Sequence, residues 1–286
     1  MAPQALVPFA RRALWVGTAV ALLLGGRWMM DAFVRQSLYP APPFRVPSPP
    51  PAPLVEAPLR VEGRTVSAWW QPPAAADRAA VLMLHGNGEN LETMRQAGTF
   101  AELADLGLGV LAIDYPGYGR SEGSPSEAGN VAAVEAAWEW LLANHRGGPR
   151  VAMGWSLGAA VAAQLAAGQH RDSVDGLVLL SPWDTLRSVA ALHFPRWLVG
   201  LALTERYDTL EAAPRVACPS LLIHGARDTL IPVELGRRVA AALPEPKRWV
   251  EVPRAGHNDL LAGPEPWREI AGFVRGLRAP PAPPSG

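Results

Sequence analysis

The chain has one cysteine, one lysine, no excess of either charge and no uncharged run of the length a bilayer demands. Each shortage excludes something. Cys218 alone closes no internal disulfide, and no Cys/His cluster has zinc spacing, so disulfide scaffolds and thiolate metal sites are out. The 26 basic residues balance 26 acidic ones, which removes the electrostatic footprint of a dedicated nucleic-acid binder. Lys247, the only lysine, reflects an arginine-rich composition and carries no functional weight. The glycine-rich HGNGEN loop at 85–90 lacks both the dinucleotide fingerprint and a Walker lysine, and neither a cofactor nor a metal is expected. What is there is apolar: 49% of the 286 residues are hydrophobic and 18% charged, a balance that builds a packed core.

The uncharged stretch at 13–26 (ALWVGTAVALLLGG) falls short of the roughly 20 residues that span hydrocarbon. Arg27 can snorkel, and Trp28, Met29, Met30, Phe33 and Val34 extend the apolar character. With Arg11 and Arg12 in front, residues 1–39 read as an uncleaved signal anchor that holds the protein at a membrane. A cleaved signal peptide is the competing reading, but no small-x-small site follows; a buried core helix comes third. The leading arginine pair favours a single-pass anchor with an extracytoplasmic domain, whereas cleavage would give a secreted protein. Residues 40–58 are too rich in proline for a helix or central strand. They form either an extended stalk or a meander packed on the domain surface. Residues 279–286 (PPAPPSG with the preceding Ala) are expected to be a disordered tail.

Between them, apolar runs at 59–61, 66–70, 80–84, 109–113, 150–153, 176–180, 220–223 and 248–252 lack polar alternation, as strands buried on both faces do. Helical patterns at 91–106, 128–144, 157–167, 233–242 and 264–277 separate the later ones. That rhythm predicts an α/β domain over 59–278, a mostly parallel doubly wound sheet of about eight strands. Its ligand site belongs beyond the carboxyl ends of the strands.

After the strand at 150–153 comes Gly154-Trp155-Ser156-Leu157-Gly158 and an alanine-rich helix. G-x-S-x-G between strand and helix describes a nucleophile elbow, in which a strained serine needs flanking residues without Cβ. The pattern alone is weak, because Gly119-Arg120-Ser121-Glu122-Gly123 matches it too. Ser121 lies behind a turn, with no helix directly after it, and reads as a loop or capping serine. Ser156 is therefore the nucleophile candidate. A serine needs a base. His85 and His224 each end a strand in a His-Gly step, His145 and His170 read as solvent-exposed, and His193 falls in the 182–216 segment. His257, after the last strand, is the base candidate. Asp228, just beyond the strand at 220–223, is the acid, with Asp184 its rival; an N-cap role for Asp228 is the plain alternative. The loop HGNGEN after the strand at 80–84 places the Asn87 N–H, with that of Leu157, as oxyanion donors.

HGNGEN, DYPGYGRSEG, GWSLG, HGARDTLIP and AGHND, in this order, resemble the α/β-hydrolase superfamily, and with the apolar N-terminus the chain looks like its membrane-anchored serine aminopeptidase- or lysophospholipase-like members. The resemblance implies a hydrolase with a Ser156–Asp228–His257 catalytic triad and an acyl-enzyme. The segment 182–216 is too long for a simple connection and predicts a small helical lid. Trp155, Trp183, Phe194 and Trp197 are the candidates for an acyl pocket, with packing on the body as the plain alternative. The expected substrate is a small-molecule or lipid ester or thioester. A peptidase or amidase on the same triad, and a membrane-tethered binding protein without turnover, are the alternatives.

Overall fold

The computed structural model describes residues 36–277 other than Phe44, together with Gly25 and Val34. The expected anchor therefore lies outside the described residues except for Gly25, Val34 and residues 36–39, as does the tail at 279–286. Among the described residues no helix is long and apolar enough to cross a membrane.

Strands β1 (Val55–Glu56), β4 (Ala68–Gln71), β5 (Ala80–Leu84), β6 (Gly109–Ile113), β7 (Arg150–Trp155), β8 (Gly176–Leu180), β9 (Ser220–Gly225) and β10 (Lys247–Val252) form one sheet, in the order β1-β4-β6-β5-β7-β8-β9-β10. The six strands from β6 to β10 across that order are parallel; β4 runs antiparallel to β6, and β1 to β4. The eight-stranded, mostly parallel α/β sheet expected from the apolar runs is what forms.

Two of its members differ from expectation. The run at 59–61 leaves the sheet: β2 (Leu59–Val61) pairs with β3 (Arg64–Val66) in a separate hairpin. Glu62 and Gly63 both take positive φ there, the twist a two-residue hairpin turn demands. The run at 66–70 breaks at Ser67, whose N–H donates to Ser121 Oγ instead of continuing a ladder. The eighth strand is β1, inside the proline-rich segment. Prolines on both sides confine it to two residues at the sheet's edge, where proline is tolerated. Around it residues 40–58 lie on the body, burying Val46, Leu54 and Ala57.

Alternation along β5 shows why both faces must be covered. Ala80, Leu82 and Leu84 enter one core with Trp138 and Leu165; Val81 and Met83 enter the other with Leu91, Phe100 and Ile270. Helices α1 (Leu91–Gln96), α2 (Thr99–Asp105) and α9 (Pro264–Gly276) supply the second face, and α3 (Glu127–Asn144) and α4 (Leu157–Ala167) the first. The single helix expected over 91–106 is two, because Gly98 sits at φ 83 between α1 and α2. Segment 182–216 folds into α5 (Leu186–Ala190), α6 (Arg196–Ala202) and α7 (Thr209–Ala212), ending in a 3-10 turn at Ala213–Arg215. Helix α8 (Val233–Ala242) follows β9.

Candidate active site

β7 ends at Trp155, and Ser156 turns the chain into α4 with φ 54 and ψ −111. A serine held there stores about 1–3 kcal/mol of backbone strain. Its N–H is pinned to the Leu180 carbonyl of β8 at 2.9 Å. The flanking glycines provide clearance. A methyl group on Gly154 would collide with the backbone of Gly158, and one on Gly158 with the carbonyls of Leu84 and His85. The turn is thus wedged between β5 and α4, which no larger residue at 154 or 158 permits.

β5 pairs directly with β7, so the loop after Leu84 lies beside the elbow. His85 and Glu89 shape it. His85 Nδ1 donates to the Gly86 carbonyl at 2.7 Å, its ring packs on Tyr115 and Tyr118, and burial lowers its pKa to about 4. Glu89 Oε2 accepts the Gly86 N–H at 2.7 Å, and burial raises that carboxyl above its usual range, opposed by the bond from Gly86. The N–H groups of Asn87 and Leu157 find no acceptor among the described residues, as donors reserved for a substrate oxygen require.

Asp228 and His257 come from the loops after β9 and β10. His257 Nδ1 donates to Asp228 Oδ2 at 2.7 Å. Asp228 Oδ1 accepts the N–H groups of Leu230 (3.0 Å) and Ile231 (2.7 Å), and His224 Nε2 lies 3.4 Å from Oδ2. Burial pulls the Asp228 pKa upward, but bonds from His224, His257 and the Ile231 amide outweigh it and hold the carboxyl well below the ordinary range. An ionised carboxylate fixes the imidazole orientation, leaving Nε2 for other work. Ser156 Oγ makes no hydrogen bond to His257 among the described residues. The ring centroid of Trp155, the residue before Ser156, is 6.2 Å from that of His257.

The remaining sequence candidates fall elsewhere. Asp184 is committed to Arg238 (2.9 Å) and to the Thr185 N–H (2.6 Å), so it is not free to orient a histidine. Ser121 Oγ donates to the Asp114 carbonyl at 2.6 Å and accepts the Ser67 N–H at 2.8 Å, a clamp between loops. His145, expected at the surface, is buried where the chain turns back toward β7 beside Gly148. Of the pocket candidates, Trp155 is half-buried beside His257, Trp183 is buried edge-on to Tyr207, and Phe194 and Trp197 are exposed.

Sequence reasoning missed how the loop is held. Asn87 Nδ2 donates to the Leu38 carbonyl, and the Tyr118 hydroxyl lies 2.9 Å from both Asn87 oxygens. Next in the chain, Tyr39 is buried with its hydroxyl 2.9 Å from that of Tyr207, to which Asn130 Nδ2 donates at 3.0 Å. Residues 38–39, assigned to the anchor segment, are thus fastened to the domain, Leu38 to the loop that carries Asn87 and Tyr39 to Tyr207. Only Tyr39, an aromatic amid prolines, hinted at burial.

A family model described as the alpha/beta hydrolase fold matches residues 79–206. An uncharacterised protein of Mycobacterium tuberculosis (strain ATCC 25618 / H37Rv) is 41% identical over 207 residues, covering 71% of this chain and 72% of that protein. A lysophosphatidylserine lipase of Macaca fascicularis is 29% identical over 186 residues, covering 60% of this chain; the chain spans about half (47%) of that lipase's length. Among solved structures, an esterase of Pyrococcus furiosus superposes with a TM-score of 0.66 at 21% identity, over 83% of this chain and 99% of that one, a likeness of fold. Strand order, elbow and relatives agree: the chain belongs to the α/β-hydrolase superfamily, and it is a hydrolase.

Proposed function

We propose that the protein is a serine hydrolase that cleaves an ester or thioester through an acyl-enzyme. The observation that carries this reading is the 2.7 Å bond from His257 to a buried, ionised Asp228, with a strained Ser156 at the strand-to-helix turn whose preceding residue, Trp155, packs toward His257. Ser156 Oγ attacks the acyl carbonyl while His257 Nε2 takes its proton, and the resulting imidazolium is stabilised by Asp228. The amides of Asn87 and Leu157, with the N-terminus of α4 behind them, receive the oxyanion. His257 then returns the proton to the leaving alcohol or thiol, and water repeats the sequence to free the acid.

The choice of an acyl ester over a peptide is supported by the lipase among the relatives. On the sequence alone, the segment 1–39 is proposed as an uncleaved signal anchor with the domain extracytoplasmic. Steady-state assays of p-nitrophenyl esters and acyl thioesters of increasing chain length, beside a peptide p-nitroanilide series, test the reading. It predicts ester turnover that Ser156→Ala abolishes. Turnover of anilides alone, or of no member of either series, would overturn it.

A further inference from the structure

Six large apolar side chains are exposed among the described residues, and four of them fall within ten residues of one segment. Leu192 and Phe194 are 46% and 48% exposed, Trp197 and Leu201 72% and 70%. Trp197 and Leu201 stand one turn apart on α6, while Val199 and Ala202 on the other side are buried. The helix therefore has its inner face satisfied and a second apolar face in water. A solvent-facing stripe of this kind marks a surface that something apolar covers.

Beside it, α5, α6 and α8 enclose a cleft of about 550 Å³. Arg187, Arg196 and Arg238 line it, with Thr185, Ser188 and Leu192. Arg238 is held by Asp184, but Arg187 and Arg196 have no carboxylate partner among the described residues. The run 185–204 contains these two arginines and no Asp or Glu. Two guanidiniums without a carboxylate partner beside a small cleft suit a phosphate group, since guanidinium donors match its oxygens. The Thr185 and Ser188 hydroxyls there already bond each other at 2.9 Å, and that of Thr185 caps α5. None of Ser156, Asn87 and His257 lines the cleft, so it is a separate feature.

We propose that this cleft holds the phosphate of an anionic phospholipid in a membrane, with the apolar face at 192–201 seated among the acyl chains. Position favours a lipid surface over a soluble phosphate ester, because charge and apolar stripe share one short segment, and both are needed only where phosphate and hydrocarbon occur together. The Tyr39–Tyr207 bond brings the chain's N-terminal entry to the foot of the same segment, so an anchored N-terminus and this face would meet one membrane.

Cys218 is buried and is the only cysteine, so a dye on Leu201→Cys in the full chain reports this face alone. An environment-sensitive dye there should shift to the blue with vesicles of equimolar phosphatidylcholine and phosphatidylglycerol. Arg187→Gln with Arg196→Gln should raise the lipid concentration at half-shift by about 30-fold, two arginines' worth of surface attraction. Soluble glycerol 3-phosphate should not reverse the shift. No shift, an unchanged half-point in the double variant, or reversal by glycerol 3-phosphate would each overturn the proposal, the last by revealing a soluble phosphate ester as the ligand. Fluorophosphonate labelling of the same samples separates the two readings. Labelling retained without a dye shift ends this proposal alone, and a dye shift without labelling ends the catalytic one alone.

Discussion

The pattern G-x-S-x-G occurs at 154–158 and at 119–123, and the backbone treats the two serines differently. At the second copy Gly119 and Gly123 take the positive φ (51 and 100), leaving Ser121 relaxed, buried and bonded on both sides. At the first copy the serine itself takes φ 54, and the glycines serve only to keep Cβ atoms away from neighbouring carbonyls. One loop uses glycine to bend and serine to fasten. The other bends at serine and leaves its hydroxyl unfastened. A hydroxyl bonded twice in the interior is poorly placed to attack anything, whereas a strained one at a strand end is held ready.

Substitutions sharpen that contrast, beginning with the largest effect. Ser156→Ala should lower kcat by about a million-fold in ester assays with little change in fold, and Ser121→Ala should leave kcat within a few-fold. Asp228→Asn should cost about ten-thousand-fold in kcat by removing the ionised partner of His257. Asp184→Asn, which loosens only the pairing with Arg238, should not approach that; comparable losses from both would break the assignment. Gly158→Ala should cost about 3 kcal/mol or more of stability in denaturant melts, because a methyl meets fixed carbonyls, whereas Gly88→Ala, with open space around it, should be neutral within about 0.5 kcal/mol. Ser121→Ala should lose about 1–3 kcal/mol, leaving the Ser67 N–H and the Asp114 carbonyl unpaired.

In the native protein the smallest effect concerns pH. Burial raises Asp114 to about 7 and lowers His85 to about 4, and the two sit 3.9 Å apart. A raised acid contributes stability at low pH that is lost as pH climbs from its unfolded value toward 7. A lowered histidine contributes stability above its unfolded value that is lost as pH falls toward 4. Across pH 4 to 7 the two slopes oppose each other, so the native protein should show little dependence from this pair. Asp114→Asn should expose the histidine slope, with stability falling toward acid by up to about 1.4 kcal/mol per pH unit. His85→Gln should expose the opposite slope. Equal pH profiles for all three proteins would show that the pair does not titrate in this way.

The sheet was legible because a strand buried on both faces must be apolar throughout, and Ala80–Leu84 or Gly176–Leu180 admits few other readings. Ser156, Asp228 and His257 stood out as candidates because each falls in a turn or loop beyond the carboxyl end of a strand of the sheet. What stayed hidden depends on long-range partners. β1 is two residues long and exists only because Trp69 and Trp70 offer an edge to pair with. The break at Ser67 follows from Ser121, 54 residues away. The burial of His145, the hold of Leu38 on Asn87 and the fate of Trp183 are equally products of packing. Local pattern gives none of these, since the same side chains on another scaffold would face water.

The most direct measurement is the site of covalent modification by a fluorophosphonate on the full chain, mapped by peptide mass spectrometry. A single adduct on Ser156, absent from Ser156→Ala and undiminished in Ser121→Ala, is the predicted result. An adduct on Ser121, or labelling that persists when Ser156 is gone, would contradict it.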